Sequence, residues 1–241
     1  MNIALNKAAN SSSFVAPYSP QRAVDGSISP TQRWACTNLP GWMYVDFGQP
    51  SWIDRWVTRL MGIAGWEPSY NMSDFKLQGS NDLSIWTDID AVTGNSANVV
   101  DHTFTAVKFR YVRIYADMGI PINRKLASVV EMEVYDAPPT SSYLSNLAVV
   151  SGRQTLTIVP SFNKDTISYN VSAVNSIASV AIIPTAEDAN ATIRVNGVIV
   201  NSGARSSDIQ LNIGSNMINV QVTPKIGDII KTYSVTVTRS S

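Results

Sequence analysis

Trp42-Met43-Tyr44-Val45-Asp46-Phe47-Gly48 decides the fold class of this chain. Aromatic and β-branched side chains crowd a short run that a glycine closes, which is the pattern of a strand and not of a helix. Working outward, the same signature recurs at Met43–Phe47, Ile53–Leu60, Asp74–Ser80, Ile85–Asp88, His102–Phe104, Phe109–Tyr115 and Val129–Tyr135. Each run is short enough to cross a sandwich once. Helix signals are almost missing, and Gly, Asn, Asp, Ser and Pro separate the runs. The expectation is an all-β antiparallel architecture. Longer loops at Ser11–Gln21, Ala35–Trp42, Met61–Ser73 and Ala116–Leu126 interrupt it, and loops of that length in a tight β domain are more often functional than accidental.

At 241 residues the chain is long enough for two domains. The stretch Asp136-Ala137-Pro138-Pro139-Thr140-Ser141-Ser142 is polar and proline-rich, so residues 138–143 read as a linker between a domain at 1–137 and another at 144–241. Strands resume after it at Leu147–Val150, Ser168–Val174, Ser179–Pro184, Thr192–Val195, Val198–Val200, Ser207–Leu211, Met217–Thr223 and Lys231–Thr238. Asn196-Gly197 is the strongest hairpin signal in the chain. Such strand density suggests an immunoglobulin-like sandwich.

Charge excludes several function classes. Residues 1–136 carry 11 Lys+Arg against 13 Asp+Glu, and residues 137–241 carry 7 against 5, so neither half has a nucleic-acid footprint or a polybasic membrane patch. One cysteine, Cys36, excludes an internal disulfide framework, and one histidine, His102, excludes a multi-histidine zinc site. Cys36 reads as a small buried hydrophobe and His102 as an exposed strand-end residue. Nucleophilic catalysis needs a nucleophile beside a base, and no such constellation is legible. Asp88 and Asp90 make a same-face carboxylate pair on a surface-like strand, not in a cleft of the glycosidase kind. The expectation is a non-enzyme. No segment approaches the ~20 apolar residues of a membrane span, and no signal-peptide pattern is present. The patterned segment starts abruptly at residue 2, which suggests a piece excised from a larger secreted protein.

All six tryptophans, at 34, 42, 52, 56, 66 and 86, lie in the first half. A segment that concentrates Trp builds either an aromatic core or a stacking surface for ligands with flat apolar faces. Trp42, Trp52, Trp56 and Trp86 sit in or beside strand patterns, so packing is their default. Trp34 either packs or lines a pocket. Trp66 lies in Gly62-Ile63-Ala64-Gly65-Trp66-Glu67-Pro68-Ser69-Tyr70-Asn71, a loop without strand periodicity. It either stacks on a ligand with Tyr70, with Glu67 and Asn71 supplying polar contacts, or folds back to close the end of the sandwich.

Ala23-Val24-Asp25-Gly26, Trp34, Trp42–Gly48, Phe75-Lys76-Leu77-Gln78-Gly79-Ser80-Asn81-Asp82, Trp86, Phe109–Ile114 and Val130-Glu131-Met132-Glu133-Val134-Tyr135 follow one another over the first half. Their order and spacing resemble the discoidin domain (coagulation factor five/eight type C), which includes bacterial carbohydrate-binding modules of family thirty-two. The resemblance implies a jelly-roll β-sandwich, a glycan or polysaccharide partner, and ligand loops at one end. It does not fix the ligand; within and beside those loops the expected contacts are Trp66, Tyr70, Asn71, Glu67, Trp34, Asn38, Asn123 and Arg124. Galactose-binding members commonly carry a His where this chain has Ala35, and an aromatic in the loop that here holds Met118, Ile120, Asn123 and Arg124. Both departures argue against a standard galactose pocket. The resemblance also implies a structural Ca²⁺ held by the carbonyl of Arg22, Asp25, Ser27, Thr31 and Glu131, although Ca²⁺ wants six to eight oxygens and the spacing to Thr31 departs from the family's. In the second half Leu144-Ser145-Asn146-Leu147, Pro160-Ser161-Phe162, Tyr169-Asn170-Val171, Val195-Asn196-Gly197 and Tyr233–Arg239 resemble a cadherin-like β-sandwich, which implies a spacer or packing partner. Two other readings stay open. One is a structural or protein-binding adhesion module without sugar affinity. The other is membrane docking through apolar tips at Phe14-Val15 and Ile63.

Overall fold

The computed structural model describes residues 1–123 and 125–241. The chain divides into two compact units, Met1–Ala137 and Pro138–Ser241, and both are built from strands.

The first unit contains β1 (Ala8–Ser11), β2 (Trp34–Cys36), β3 (Gly41–Arg59), β4 (Phe75–Ser80), β5 (Thr87–Val92), β6 (Val99–Ala116), β7 (Ala127–Val129) and β8 (Glu131–Asp136). Its main sheet runs β1-β3-β6-β4-β5, with β8 also paired to β3, and β2 pairs with β7. The runs expected at Met43–Phe47 and Ile53–Leu60 are one long strand, β3, and those at His102–Phe104 and Phe109–Tyr115 are one partner strand, β6. Register shifts between Asp46 and Ser51, and between Ile53 and Arg55, bend β3. Its first half therefore pairs β1, and its second half pairs β8, as bulged strands do when they serve two parts of a sandwich. Sequence reading missed β1 and β2, which are too short to show a period.

Alternation along β3 buries Met43, Val45 and Phe47 and leaves Trp42, Tyr44 and Asp46 half-exposed. The buried side chains meet Val112, Ile114, Phe75, Leu77, Met132 and the two fully buried indoles, Trp34 and Trp56. Trp56 meets Phe75 edge to face at 5.9 Å. Each indole N–H is satisfied: Trp34 donates to the Ser13 carbonyl at 3.0 Å and Trp56 to Asp90 at 2.8 Å.

The second unit contains β9 (Leu144–Ser151), β10 (Gln154–Leu156), β11 (Ile158–Val159), β12 (Ser168–Ala173), β13 (Ser179–Ala186), β14 (Thr192–Val195), β15 (Val198–Val200), β16 (Ile209–Gln210), β17 (Gly214–Thr223) and β18 (Lys231–Arg239). Sheets β10-β9-β13-β16 and β11-β12-β18-β17-β14-β15 enclose one aliphatic core. Asn196 (φ 47°) and Gly197 (φ 84°) turn β14 into β15 in the left-handed region that a tight hairpin requires. Tyr169 and Tyr233 are buried with their hydroxyls on the Asn163 and Lys164 carbonyls. Residues 138–143 fold with this unit: Thr140 N–H donates to the Ile226 carbonyl at 2.8 Å, and Ser142 is buried.

Candidate functional site

The segment after β3 makes two 3-10 turns, Met61–Ala64 and Pro68–Tyr70. Gly65 joins them at φ 90°, a conformation that costs a Cβ-bearing residue strain. Asn71 holds the loop from beneath. Its Oδ1 accepts the Gly62 N–H at 2.8 Å, and its Nδ2 donates to Asn98 at 2.9 Å.

This scaffold leaves Trp66 41% exposed, with its ring edge-on to Tyr70 at 4.8 Å and 67°. The two rings wall a cavity of about 240 Å³, completed by Arg33, Ala35, Met61, Ile120, Leu126 and Ser128. The volume is below the ~300 Å³ where drug-sized sites begin, so one sugar unit or an apolar substituent fits, and a whole oligosaccharide does not. Three chain segments distant in sequence supply the wall. Ile120 is placed by its N–H bond to the Leu126 carbonyl at 2.8 Å, and Gly119 lies so close to Leu126 that a Cβ would overlap its backbone. Arg33 stacks over the Tyr18 ring at 3.5 Å and donates to the Pro30 carbonyl, while its buried Nε is unpartnered among the described residues. Sequence reading missed Arg33; its only signal was a lone cation beside Trp34.

Several expected contacts need correction. Asn71 is fully buried and its amide is consumed by the loop, so it positions the site and does not face a ligand. Trp34 is also fully buried, a core residue behind the cavity wall. Asn38 is exposed but stands apart from the cavity lining, and Asn123 spends its Oδ1 on the Lys125 N–H at 3.2 Å. Glu67 is exposed at the loop and outside the lining as well. Arg124 lies outside the described residues. Trp42 and Trp86 are half-exposed on the outer side of the sheet, not core, and Trp52 is half-buried.

The expected carboxylate pair is also undone. A register shift between Leu77 and Gln78 sets Asp88 against Gln78 and Asp90 against Leu77. Asp88 therefore joins Lys76 and Gln78, whereas Asp90 accepts from the Trp56 indole and lies 2.7 Å from His102 Nδ1. His102 is an exposed residue within β6, and Cys36 is fully buried.

The loop expected to hold the ion brings some of its residues together. Asp25 Oδ1 accepts the Ser27 N–H at 2.8 Å, and Glu131 Oε1 accepts the Gly26 N–H at 3.0 Å. Glu131 is 1% exposed and its Oε2 is buried without a partner among the described residues. Burial raises the Glu131 pKa to about 7; the Gly26 hydrogen bond opposes the rise and the nearby Asp25 charge adds to it. An orphaned carboxylate oxygen beside a second carboxylate fits a hard cation. Thr31 stands elsewhere in the loop, its hydroxyl 3.0 Å from that of Ser29 and its carbonyl accepting from the Arg22 guanidinium. Glu133, on the same strand face, is committed to Arg59 and Tyr135.

The second unit has a larger cleft, about 680 Å³, beside Tyr143. Lys231 lies 3.7 Å and Lys164 5.3 Å from that ring.

The F5/F8 type C family model, described as a NedA-like galactose-binding domain, matches residues 22–114, and a cadherin-like β-sandwich domain matches residues 144–240. The chain is similar to chitosan-binding module 1 of a chitosanase/glucanase from Paenibacillus sp. IK-5, with 34% identity over 56% of this chain and 98% of that one, at a TM-score of 0.47. Module 2 of the same enzyme, solved with chitotriose, is 32% identical over 56% and 99%, at 0.47. The family 32 carbohydrate-binding module of EndoD from Streptococcus pneumoniae is 20% identical over 57% and 100%, at 0.52, a likeness of fold. No curated protein matches the chain.

Proposed function

Because the chain belongs to the discoidin-type F5/F8 type C family and carries a cadherin-like β-sandwich after that module, we propose that its first unit is a non-catalytic glycan-binding module. One sugar unit of a glycan sits in the Trp66–Tyr70 cavity. The observation that carries this reading is the pairing of a 41%-exposed indole with a second ring at the mouth of an apolar cavity. Two rings at the mouth of an apolar cavity offer a stacking surface for a flat, partly apolar ligand. Ala35 in the wall gives the sugar an apolar face to pack on, and the Arg33 guanidinium disfavours a protonated amino sugar. The second unit then acts as spacer or packing partner in a secreted bacterial protein. No described helix is long and apolar enough to cross a membrane.

The same proposal includes a structural Ca²⁺ held by Asp25 and Glu131, with Ser27 and the Arg22 carbonyl as further oxygens and Thr31 the least engaged. The ion would neutralise the buried carboxylate and fix the loop. Isothermal titration over neutral, amino and acidic sugars tests the glycan reading. Millimolar-range binding that disappears in Trp66→Ala supports it, and no heat from any sugar at that concentration counts decisively against it.

A structural or protein-binding module without sugar affinity expects Trp66 to be buried, which its exposure disfavours. Membrane docking draws on Phe14 (51% exposed), Val15 (39%) and Ile63 (38%), but the balanced charge of residues 1–136 lacks the basic rim that anionic lipid attracts. Sedimentation with anionic vesicles distinguishes it.

A further inference from the structure

The outward face of the path β3-β6-β4 carries a continuous aromatic surface separate from the loop cavity. Register places Trp42 beside Tyr115, Tyr44 beside Arg113, and Asp46 beside Tyr111. Trp42 and Tyr44 are stacked at 5.7 Å and 22°, Tyr44 meets Trp86 at 6.3 Å, and Tyr111, itself buried, supports Tyr44 edge-on at 5.8 Å. The Arg113 guanidinium lies between two rings, 4.0 Å from Trp86 and 5.0 Å from Tyr115. Gln78 Oε1 accepts its Nε–H at 2.7 Å and holds the group in place.

These rings do not fill the core, because the alternate residues Met43, Val45, Val112 and Ile114 do that. Trp86 reaches the face from outside β5, across the end of β4, so its position is not imposed by strand alternation. Most charges present are internally matched: Asp46 takes Arg110 through both oxygens at 2.9 Å and Lys76 takes Asp88 at 3.1 Å, while Arg113 is held by the neutral Gln78 amide. A polyanion or polycation therefore finds no unmatched row of opposite charge. The aromatic stripe is also narrow, bounded by exposed Asn10 on β1 and Asp88 on β5. A stable protein interface needs about 20–30 residues a side, far more than four accessible rings and a guanidinium supply.

We propose that this face is a second glycan site, which takes the extended, uncharged chain of a β-linked polysaccharide across Trp42, Tyr44, Trp86, Arg113 and Tyr115. The flat C–H faces of successive sugars stack on rings about 6 Å apart, and Arg113 and the tyrosine hydroxyls meet their hydroxyl groups, while Gln78, buried with its amide taken by Arg113 and Asp88, only positions Arg113. The reading of the loop cavity contributes the general ligand class only; the surface stands on its own residues.

Native gel electrophoresis through hydroxyethyl cellulose, laminarin or galactomannan, with carboxymethyl cellulose and glycol chitosan as charged counterparts, tests it. Retardation by at least one neutral polymer is expected to weaken roughly tenfold in Trp86→Ala, to recover in part in Trp86→Phe, and to persist in Trp66→Ala. Tyr115→Ala reads the same surface if Trp86→Ala fails to fold, which circular dichroism reports. Wild-type migration of both alanine variants overturns the proposal. So does an absence of retardation in all three neutral polymers, retardation by a charged polymer alone, or loss of self-association in place of polymer binding. Failure of the cavity reading appears separately, as monosaccharide titration unchanged by Trp66→Ala.

Discussion

Glu131 Oε1 accepts the Gly26 N–H at 3.0 Å while its Oε2 lies buried with no partner among the described residues, so one carboxylate at the head of β8 closes the Asp25 turn with half of its acceptor capacity unused. Its pKa, raised to about 7 by burial, sets a pH window. The folded state binds the proton more tightly than the unfolded chain does. The stability from this group is therefore complete below the unfolded value near 4.5 and is lost as pH rises toward 7.

Chelated protein is expected to melt lower at pH 8 than at pH 5.5, and Ca²⁺ is expected to restore the difference. Glu131→Gln, which removes the buried charge, should stabilise chelated protein at pH 8 by about 1–3 kcal/mol and abolish the response to Ca²⁺. Calorimetric scans with and without chelator measure both; an identical Ca²⁺ response in Glu131→Gln would refute the role.

Trp66→Ala should leave the melting temperature nearly unchanged, since a half-exposed loop ring contributes within about 1 kcal/mol. Sugar affinity should fall by an order of magnitude or more. Equal loss of stability and binding would mean that the ring closes the sandwich instead of presenting a platform.

Trp34→Ala has the opposite profile. Removing a fully buried indole costs about 3–5 kcal/mol and leaves the Ser13 carbonyl without its donor. Trp34→Phe should recover most of the packing and bind sugar as the parent does; a binding defect in that folded variant would reinstate Trp34 as a contact.

Asn71→Ala strips the acceptor from the Gly62 N–H and the donor from Asn98. A local cost of about 1–3 kcal/mol is expected, seen as faster hydrogen exchange at Gly62. Unchanged exchange there would show that the amide does not hold the loop.

Burial pushes the Cys36 thiol up to about 11. At pH 8 in native buffer it should resist aromatic disulfide reagents and react fully in denaturant; rapid native labelling would contradict the packing around it.

The β class, the Asn196-Gly197 hairpin and the Trp66 loop were legible from the chain, because each rests on local backbone preference or short-range periodicity. The jelly roll and the cadherin-like sandwich were legible through motif order over long stretches. Burial of Asn71 was not, since an Asn in a Gly/Pro loop looks solvent-facing until the loop folds over it. The Asp88–Asp90 pair failed for a similar reason: one bulge in the register sends the two carboxylates to different partners, and no composition rule announces a bulge.

Sequence alone thus determined that the chain is built of strands, the shortest such as β1 and β2 excepted, and where the aromatic wealth lies, because strand periodicity is written locally. Only the tertiary structure decided which indoles are spent on the core and which face outward. It also decided that Arg33, Tyr70, Ile120 and Ser128 share one cavity. Such facts depend on register and loop closure between residues tens of positions apart, where one residue's slip moves a side chain to the opposite face.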